Sequence, residues 1–292
     1  MKKLAVVLLA LVLALSLIAC GGGSTDNNQE NQENANSENA ADVETGDAED
    51  VEAGDDNAAE SESAAYAGPL VSPGKLTMSV NAAFPPYEMT TDAGGFEGID
   101  VDIAGLIAEK LGLELQIDDM DFDAALLAVQ NGKSDIVMSG VSVTEARLAV
   151  MDFSDSYATG IQSVIVKEGS DVTIDNLGEH MIATQRATTG NIYCSDEFGD
   201  DHVLAYDNGM TAVQALMNGQ ADCVVIDDAP ARAFVSQNPG LTILDTEYAV
   251  EDYAIGIGKG NAELLNAINN ALAELKADGS LQAVIDQYIS AD

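Results

Sequence analysis

Two stretches of this chain share one pattern, and this internal repeat constrains the fold more than any other sequence feature. Residues 125–140 read ALLAVQNGKSDIVMSG, and residues 212–227 read AVQALMNGQADCVVID. Each stretch predicts a helix, an Asn-Gly turn and an apolar strand that follows an aspartate. We therefore predict two lobes of similar construction. The alternative is coincidence, because glycine commonly follows the last turn of a helix in unrelated folds.

Helix and strand patterns alternate around the repeat. A strand is predicted at residues 76–81, and the two prolines at 85 and 86 end it. A helical stripe of apolar residues covers 101–111, and alternating leucine and isoleucine predict a strand at 113–117. Such alternation predicts an α/β fold in which each lobe has a mainly parallel sheet flanked by helices.

The N-terminus has the pattern of a targeting segment over residues 1–19. Lys2 and Lys3 precede an apolar run that ends at Ala19 and is shorter than the ~20 residues of a membrane-spanning helix. Cys20 follows Leu-Ile-Ala and precedes glycine, which resembles a bacterial lipoprotein signal. The resemblance implies cleavage before Cys20, acylation of that cysteine (as by palmitate) and a lipid anchor at the extracytoplasmic face of the cell membrane. A plain signal peptide with an incidental cysteine is the alternative.

Composition separates a tether from the folded body and excludes several functions. Residues 20–66 are polar and acidic without a basic residue, which predicts a disordered tether. The whole chain carries 50 acidic and 11 basic residues, a net charge of −39, which argues against nucleic-acid binding. With three cysteines and two histidines there is little to hold zinc, so we expect no metal and no cofactor.

The repeat also predicts where a ligand would bind. In open α/β sheets, ligands lie beyond the carboxyl ends of the strands. In one lobe these ends carry Ser139, Gly140 and Ser142, and in the other Asp227 and Asp228. One group offers hydroxyls and backbone N–H groups, and the other offers carboxylates. We expect the two groups to face each other across a cleft.

Seven motifs in order resemble one protein family, from about Gly74 to the C-terminus. They are NAAFPPYE at 81–88, GIDVDIA at 98–104, MDFDA at 120–124, SGVSVTEAR at 139–147, MDFSDSY at 151–157, QRATTGNIY at 185–193 and IDDAP at 226–230. Together they resemble family 3 of the bacterial extracellular solute-binding proteins, which serve polar amino-acid ABC importers. The resemblance implies a two-lobed, periplasmic-binding-protein-like fold of type II with a two-strand hinge. Lobe I would comprise residues 74–158 and 254–292, and lobe II residues 162–249.

The family resemblance implies a receptor rather than an enzyme. It would be a monomer that captures a free polar amino acid and delivers it to the permease subunits of an ABC importer. One alternative is a ligand sensor for another membrane partner. Another is a dehydratase- or transglycosylase-type enzyme on the same scaffold, for which only Glu88, Asp227 and Asp228 offer an acid or base in the cleft.

A free amino acid is a zwitterion, so its site needs a fixed cation and a fixed anion. Arg147 lies in a short predicted helix opened by Thr144, and a guanidinium can hold a carboxylate through two hydrogen bonds. A surface ion pair is the alternative for Arg147. The resemblance places the α-carboxylate at Arg147 and the α-ammonium at Asp228, with Asp227 toward the ligand side chain. An N-cap role for Asp228, with Pro230 in the first turn, is compatible with this.

The resemblance implies further contacts from both lobes. Thr188 and Thr189 would donate to the α-carboxylate, although helix capping explains them equally well. The family usually has glycine at Ala187, so a positive φ there would be strained. The complete predicted set is Asn81, Phe84, Glu88, Phe122, Ser139, Gly140, Ser142, Arg147, Gln185, Thr188, Thr189, Asp227 and Asp228.

Within that set, Phe84 and Phe122 would sandwich the ligand side chain, and Asn81, Glu88 and Asp227 would read its tip. Many relatives carry aspartate at the Asn81 position, so the amide weakens the case for a basic ligand, while the two acids keep it open. Cys194 and Cys223 fall in lobe II, as a disulfide or as two buried thiols.

Overall fold

The structure is a computed structural model that describes residues 65–245 and 248–289. The predicted signal peptide, Cys20 and nearly all of the predicted tether lie outside the described residues. Tyr66, predicted as the last tether residue, belongs instead to the described body, because its N–H donates to the Leu111 carbonyl at 2.8 Å. No described helix is both long enough and apolar enough to cross a membrane.

The first part of the body alternates strands and helices as predicted. Its elements are β1 (Lys75–Val80), β2 (Ala83–Phe84), β3 (Glu88–Thr90), β4 (Phe96–Glu97), α1 (Ile99–Lys110), β5 (Glu114–Asp119), α2 (Phe122–Gln130), β6 (Ile136–Val137), α3 (Glu145–Leu148) and β7 (Met151–Phe153). Helix α1 presents buried Ile103 and Ile107 to the sheet, four residues apart as an amphipathic helix requires.

The second part repeats the alternation and then returns to the first. Its elements are β8 (Ala158–Lys167), β9 (Ile182–Gln185), α4 (Thr189–Phe198), β10 (Val203–Tyr206), α5 (Gly209–Met217), β11 (Cys223–Asp227), α6 (Asp228–Gln237), β12 (Leu241–Ile243), β13 (Ala249–Tyr253), β14 (Gly256–Gly258), α7 (Ala262–Asp278) and α8 (Ser280–Tyr288). Two 3₁₀ turns lie at Ile174–Glu179 and Asp200–His202.

Two separate sheets form the two lobes of the α/β fold. In lobe I the strand order is β5-β1-β6-β14-β7, and in lobe II it is β10-β9-β11-β8-β12, with β13 also paired to β8. The strands joined by helix crossovers are parallel, whereas β14 and β8 pair with their neighbours in antiparallel fashion. The sheets are therefore mixed, because β14 in lobe I and β8 in lobe II run against the neighbouring strands of their sheets.

The aspartates of the sequence repeat have the same function in both lobes. Asp135 Oδ2 accepts the N–H of Thr77 at 2.8 Å, and Asp222 Oδ2 accepts the N–H of Met181 at 2.8 Å. Each aspartate thus fixes the start of the strand after the Asn-Gly turn to the strand beside it. This shared geometry agrees with the interpretation of the repeat as two similar lobes.

Two antiparallel strands connect the lobes. Strands β8 and β13 pair with Ile161 opposite Val250 and Gly160 opposite Glu251. Only glycine fits at position 160, because a Cβ there would collide with the ring of Tyr253, which is fully buried. The Tyr253 ring also contacts that of Tyr87 edge to face, with centroids 5.2 Å apart. The hinge strands therefore have a rigid aromatic contact with lobe I.

Cys194 and Cys223 are free and buried in the same apolar cluster of lobe II. In this structure the two residues are therefore buried thiols and not a disulfide. Burial raises the pKa of each thiol to about 12. Both are protonated at neutral pH and so are weak nucleophiles.

Candidate binding site

A cavity between the two lobes brings together residues from the carboxyl ends of both sheets. Eleven of the thirteen predicted contact residues line it; Glu88 and Asp228 do not. Lobe I contributes Asn81, Phe84, Phe122, Ser139, Gly140, Ser142 and Arg147, and lobe II contributes Gln185, Thr188, Thr189 and Asp227. The two groups do face each other across a cleft, and their contact with a ligand stays a prediction.

Arg147 is the cation of this cavity. Thr144 caps α3 by accepting the Arg147 N–H at 3.2 Å, which fixes where the side chain starts. The guanidinium is buried, donates to the carbonyls of Ser142 at 2.8 Å and Ala187 at 3.0 Å, and lies 5.4 Å from the centroid of the Phe122 ring. Burial lowers its pKa, and the negative charges of Glu251 and Asp227 oppose that shift. An arginine remains charged under such conditions.

Asp227 is the anion of this cavity. It is the last residue of β11 and occupies the N-cap position of α6, but its side chain makes no capping bond. Instead the buried carboxylate accepts a hydrogen bond from the Tyr253 hydroxyl. Burial raises the pKa of Asp227 to about 7, and the charge of Glu251 adds to the shift, while the Tyr253 hydrogen bond opposes it. In its charged form the carboxylate offers a buried acceptor for a cationic group.

Asp228, which the resemblance places at the α-ammonium, does not line this cavity in the structure. Its carboxylate pairs with Arg232 one helical turn later, at 2.7 Å, and accepts the Ser163 hydroxyl at 3.3 Å. It lies instead in a separate depression with Ile161 and Asp245. The reason is that β11 ends one residue earlier, so Asp228 is already the first residue of α6 and its side chain follows the helix.

Glu88, predicted to read the tip of the ligand side chain, lies behind the cavity wall in the structure. It is fully buried, and the Ser139 hydroxyl donates to its Oε1 at 2.5 Å. The neighbouring carboxyl group of Asp100 accepts the Gly140 N–H at 2.8 Å and the Tyr157 hydroxyl at 2.9 Å. Burial, and then the charge of Asp100, raise the pKa of Glu88, and burial raises that of Asp100. The two acids support Ser139 and Gly140 from behind the cavity wall.

Glu251 on β13 is a residue that the sequence analysis missed. Its Oε2 accepts from Thr189 Oγ1 at 2.7 Å, Ser142 Oγ at 3.1 Å and Gln162 Nε2 at 3.2 Å. Its Oε1 accepts from the Tyr193 hydroxyl at 2.7 Å. Two hydroxyls of the predicted contact set, those of Ser142 and Thr189, therefore donate to a hinge residue in this structure. No local signal distinguishes Glu251 among 50 acidic residues.

The loop after β9 combines capping with backbone strain. Thr188 caps α4 by accepting the N–H of Asn191 at 3.2 Å, which is the capping role left open above. Ala187 has a φ of 62°, a left-handed conformation that costs an L-residue ~1–2 kcal/mol. This conformation is the one that the family glycine predicts. It directs the Ala187 carbonyl toward Arg147 of the other lobe.

Contacts across the cavity hold the lobes together. They are the Arg147–Ala187 bond, a Gln185 Nε2 to Asn81 Oδ1 bond at 3.0 Å and the Ser142–Thr189 hydroxyl pair at 3.5 Å. The conformation is therefore closed. Because these bonds join opposite lobes, closure depends on the same residues that surround the cavity.

A two-lobed α/β fold with a polar cavity between its lobes and a two-strand hinge defines a class of ligand-binding proteins. The profile of the bacterial extracellular solute-binding proteins, family 3, matches residues 76–291. The chain belongs to this family.

Named relatives agree with this assignment. A probable histidine-binding protein of Neisseria gonorrhoeae is 31% identical over 232 residues, covering 77% of this chain and 87% of the relative. The L-cystine-binding protein of Escherichia coli K12 is 28% identical over 223 residues, 75% of this chain and 84% of the relative. Among solved structures, an ancestral arginine-binding protein bound to glutamine is similar with a TM-score of 0.71 and 36% identity, covering 75% of this chain and 99% of that one.

Proposed function

We propose that this protein is an extracytoplasmic receptor that captures a free polar amino acid between its closing lobes and delivers it to the permease of an ABC importer. Arg147 binds the α-carboxylate and Asp227 binds the α-ammonium. The α-ammonium role that the family resemblance gave to Asp228 is thereby assigned to Asp227.

One observation carries the proposal: a buried guanidinium of lobe I and a buried carboxylate of lobe II line the same cavity. The two bonds that Arg147 makes to backbone carbonyls use two of its five N–H groups, which leaves donors for a ligand carboxylate. A zwitterion would satisfy both charges at once and would favour the closed form, because its two ends contact different lobes.

The relatives support the same class of ligand. The relatives described above are named for binding histidine, cystine or arginine, and one was solved with bound glutamine. All four ligands are free amino acids, and the relatives are binding proteins rather than enzymes. Within the described residues the cavity is lined by neither histidine nor cysteine, so Asp227 is its one side chain suited to general acid or base chemistry. Binding and delivery therefore explain the site with fewer assumptions than catalysis.

The N-terminal pattern completes the proposal. Cleavage before Cys20 and acylation of that residue would anchor the receptor at the outer face of the membrane, and the acidic segment 20–64 would serve as its tether. We propose a monomer with lobe I at residues 74–158 and 254–292, lobe II at 162–249, and β8 and β13 as the hinge.

Thermal melting with each of the twenty L-amino acids, cystine and ornithine tests the proposed function. Ligand binding to the folded state alone stabilises it by ~2.7 kcal/mol at a hundredfold excess over Kd. For a domain of this size such a gain raises Tm by roughly 5–10 °C. We expect this shift with one or a few amino acids, and a Tm that does not move with any of them would refute the amino-acid assignment.

A further inference from the structure

A chain of amides beside the cavity has a fixed direction. The Met120 carbonyl accepts a hydrogen bond from Asn81 Nδ2 at 2.9 Å. Because a carbonyl can only accept, the Asn81 amide must turn its nitrogen toward Met120 and its oxygen toward Gln185. Asn81 Oδ1 then accepts from Gln185 Nε2 at 3.0 Å. This leaves the oxygen of the Gln185 amide as the free end of the chain.

That free end lacks a hydrogen-bond donor. Gln185 is 2% exposed and lines the cavity, and its Oε1 is buried without a hydrogen-bond partner among the described residues. A buried acceptor without a donor costs ~1–3 kcal/mol. A ligand atom that donates to Gln185 Oε1 would remove this cost, whereas a ligand oxygen without a proton would face a second oxygen.

The charges of the cavity limit the ligand further. Among the described lining residues, Arg147 is the one basic side chain and Asp227 the one acidic side chain. In the proposed function both are used by the α-carboxylate and the α-ammonium. A charge on the ligand side chain would be buried without an opposite partner in the lining, since Glu88 lies behind Ser139, and that arrangement is costly.

We infer that the ligand is an amino acid whose uncharged side chain ends in a hydrogen-bond donor, the class to which the carboxamides glutamine and asparagine belong. This rests on the proposed function and identifies its substrate class. The side chain would donate to Gln185 Oε1, and Asn81 and Met120 would act as positioning groups that keep this oxygen directed to the ligand.

Calorimetric titration of the wild-type protein tests the inference. The probes are L-glutamine and L-asparagine, with L-glutamate, L-arginine and L-methionine as the acidic, cationic and donor-free comparisons. One carboxamide should bind at least about tenfold more tightly than all three comparisons, the equivalent of one hydrogen bond lost. Tighter binding of any comparison would overturn the inference while leaving the proposed function intact. A protein that binds no amino acid would overturn both.

Substitution at Gln185 separates recognition from structure. Gln185→Leu also removes the bond to Asn81 that joins the lobes, so binding of both ligands should weaken, but the loss for L-glutamine should exceed that for L-methionine about tenfold, because only the first ligand donates to Oε1. Gln214→Leu, an exposed substitution on α5 in the same lobe, should change neither affinity. An equal loss for both ligands in Gln185→Leu would mean a general disturbance of the lobe and would contradict the inference.

Discussion

Replacing Arg147 with alanine should weaken amino-acid binding by at least about a hundredfold. The substitution removes the cation that faces the α-carboxylate, and truncating one partner of a buried, hydrogen-bonded charge pair costs ~2–5 kcal/mol. It also removes the bond to the Ala187 carbonyl, which joins the lobes. Calorimetric titration with the amino acid that gives the largest thermal shift provides the measurement.

Arg186 provides a matched control for this experiment. It lies beside Ala187 in the chain, but its guanidinium is exposed and pairs with Asp207 at 2.7 Å. Exposed pairs contribute ~0–1 kcal/mol, so Arg186→Ala should retain the wild-type affinity. Circular dichroism should show that both variants keep their secondary structure. If Arg147→Ala bound its ligand as tightly as Arg186→Ala does, the carboxylate role would be lost.

The second large effect is expected at Asp227. Asp227→Asn keeps the size of the side chain and an oxygen that can accept from the Tyr253 hydroxyl, but it removes the negative charge. Loss of the ammonium partner should weaken binding about tenfold to a hundredfold. Asp228→Asn is the matched control one residue later, where the carboxylate pairs with exposed Arg232 instead. Its affinity should stay within about threefold of wild type.

The raised pKa of Asp227 gives this prediction a pH signature. Since the pKa is about 7, lowering the pH from 8 to 6 protonates the carboxylate and should weaken ligand binding in the wild type. In Asp227→Asn this pH dependence of ligand affinity should disappear. An affinity of Asp227→Asn equal to that of Asp228→Asn, or a wild-type affinity that rises on acidification, would contradict the ammonium role.

Stability should change in the opposite direction from binding. The pKa of Asp227 is about 7 in the folded protein against an ordinary 3.8, so between these values the folded state holds a proton that the unfolded state has lost. This contribution to the free energy of unfolding therefore falls as pH rises from about 4 to 7. At pH 8 the variant Asp227→Asn avoids a buried charge and should be more stable than wild type, by roughly 4 kcal/mol for a pKa raised from 3.8 to about 7. Comparing the two proteins isolates Asp227, since Glu88 and Asp100 are present in both.

The sequence was informative wherever the signal was local. Apolar periodicity and the Asn-Gly turns predicted α5, β11 and their counterparts in lobe I, and Thr144 predicted the start of α3. The strand ends therefore identified Ser139, Gly140, Ser142 and Asp227 among the residues that meet in the cavity, and the family resemblance implied the other seven. Antiparallel pairing of β8 and β14 was not predictable in this way, because it depends on where chain segments return over long distances.

The structure differs from the predicted site where one residue of register or one distant partner decides which side chain faces the cavity. Asp227 and Asp228 are adjacent acids, and only the end of β11 determines which of them faces the cavity. Glu88 is held behind the cavity wall by the hydroxyl of Ser139, which is 51 residues away in sequence. Glu251 becomes part of the site because β13 brings it next to donors from both lobes. No residue pattern within a short stretch of sequence indicates any of these contacts.

The central claim is that separate lobes hold the two α-groups of one amino acid. Its most direct test is calorimetric titration of the wild-type protein with the preferred L-amino acid, its N-acetyl derivative and its α-carboxamide. Loss of the ammonium in the first derivative and of the carboxylate in the second should each weaken binding at least about a hundredfold. If either derivative bound within about threefold of the parent amino acid, Arg147 and Asp227 would not hold the ligand as proposed.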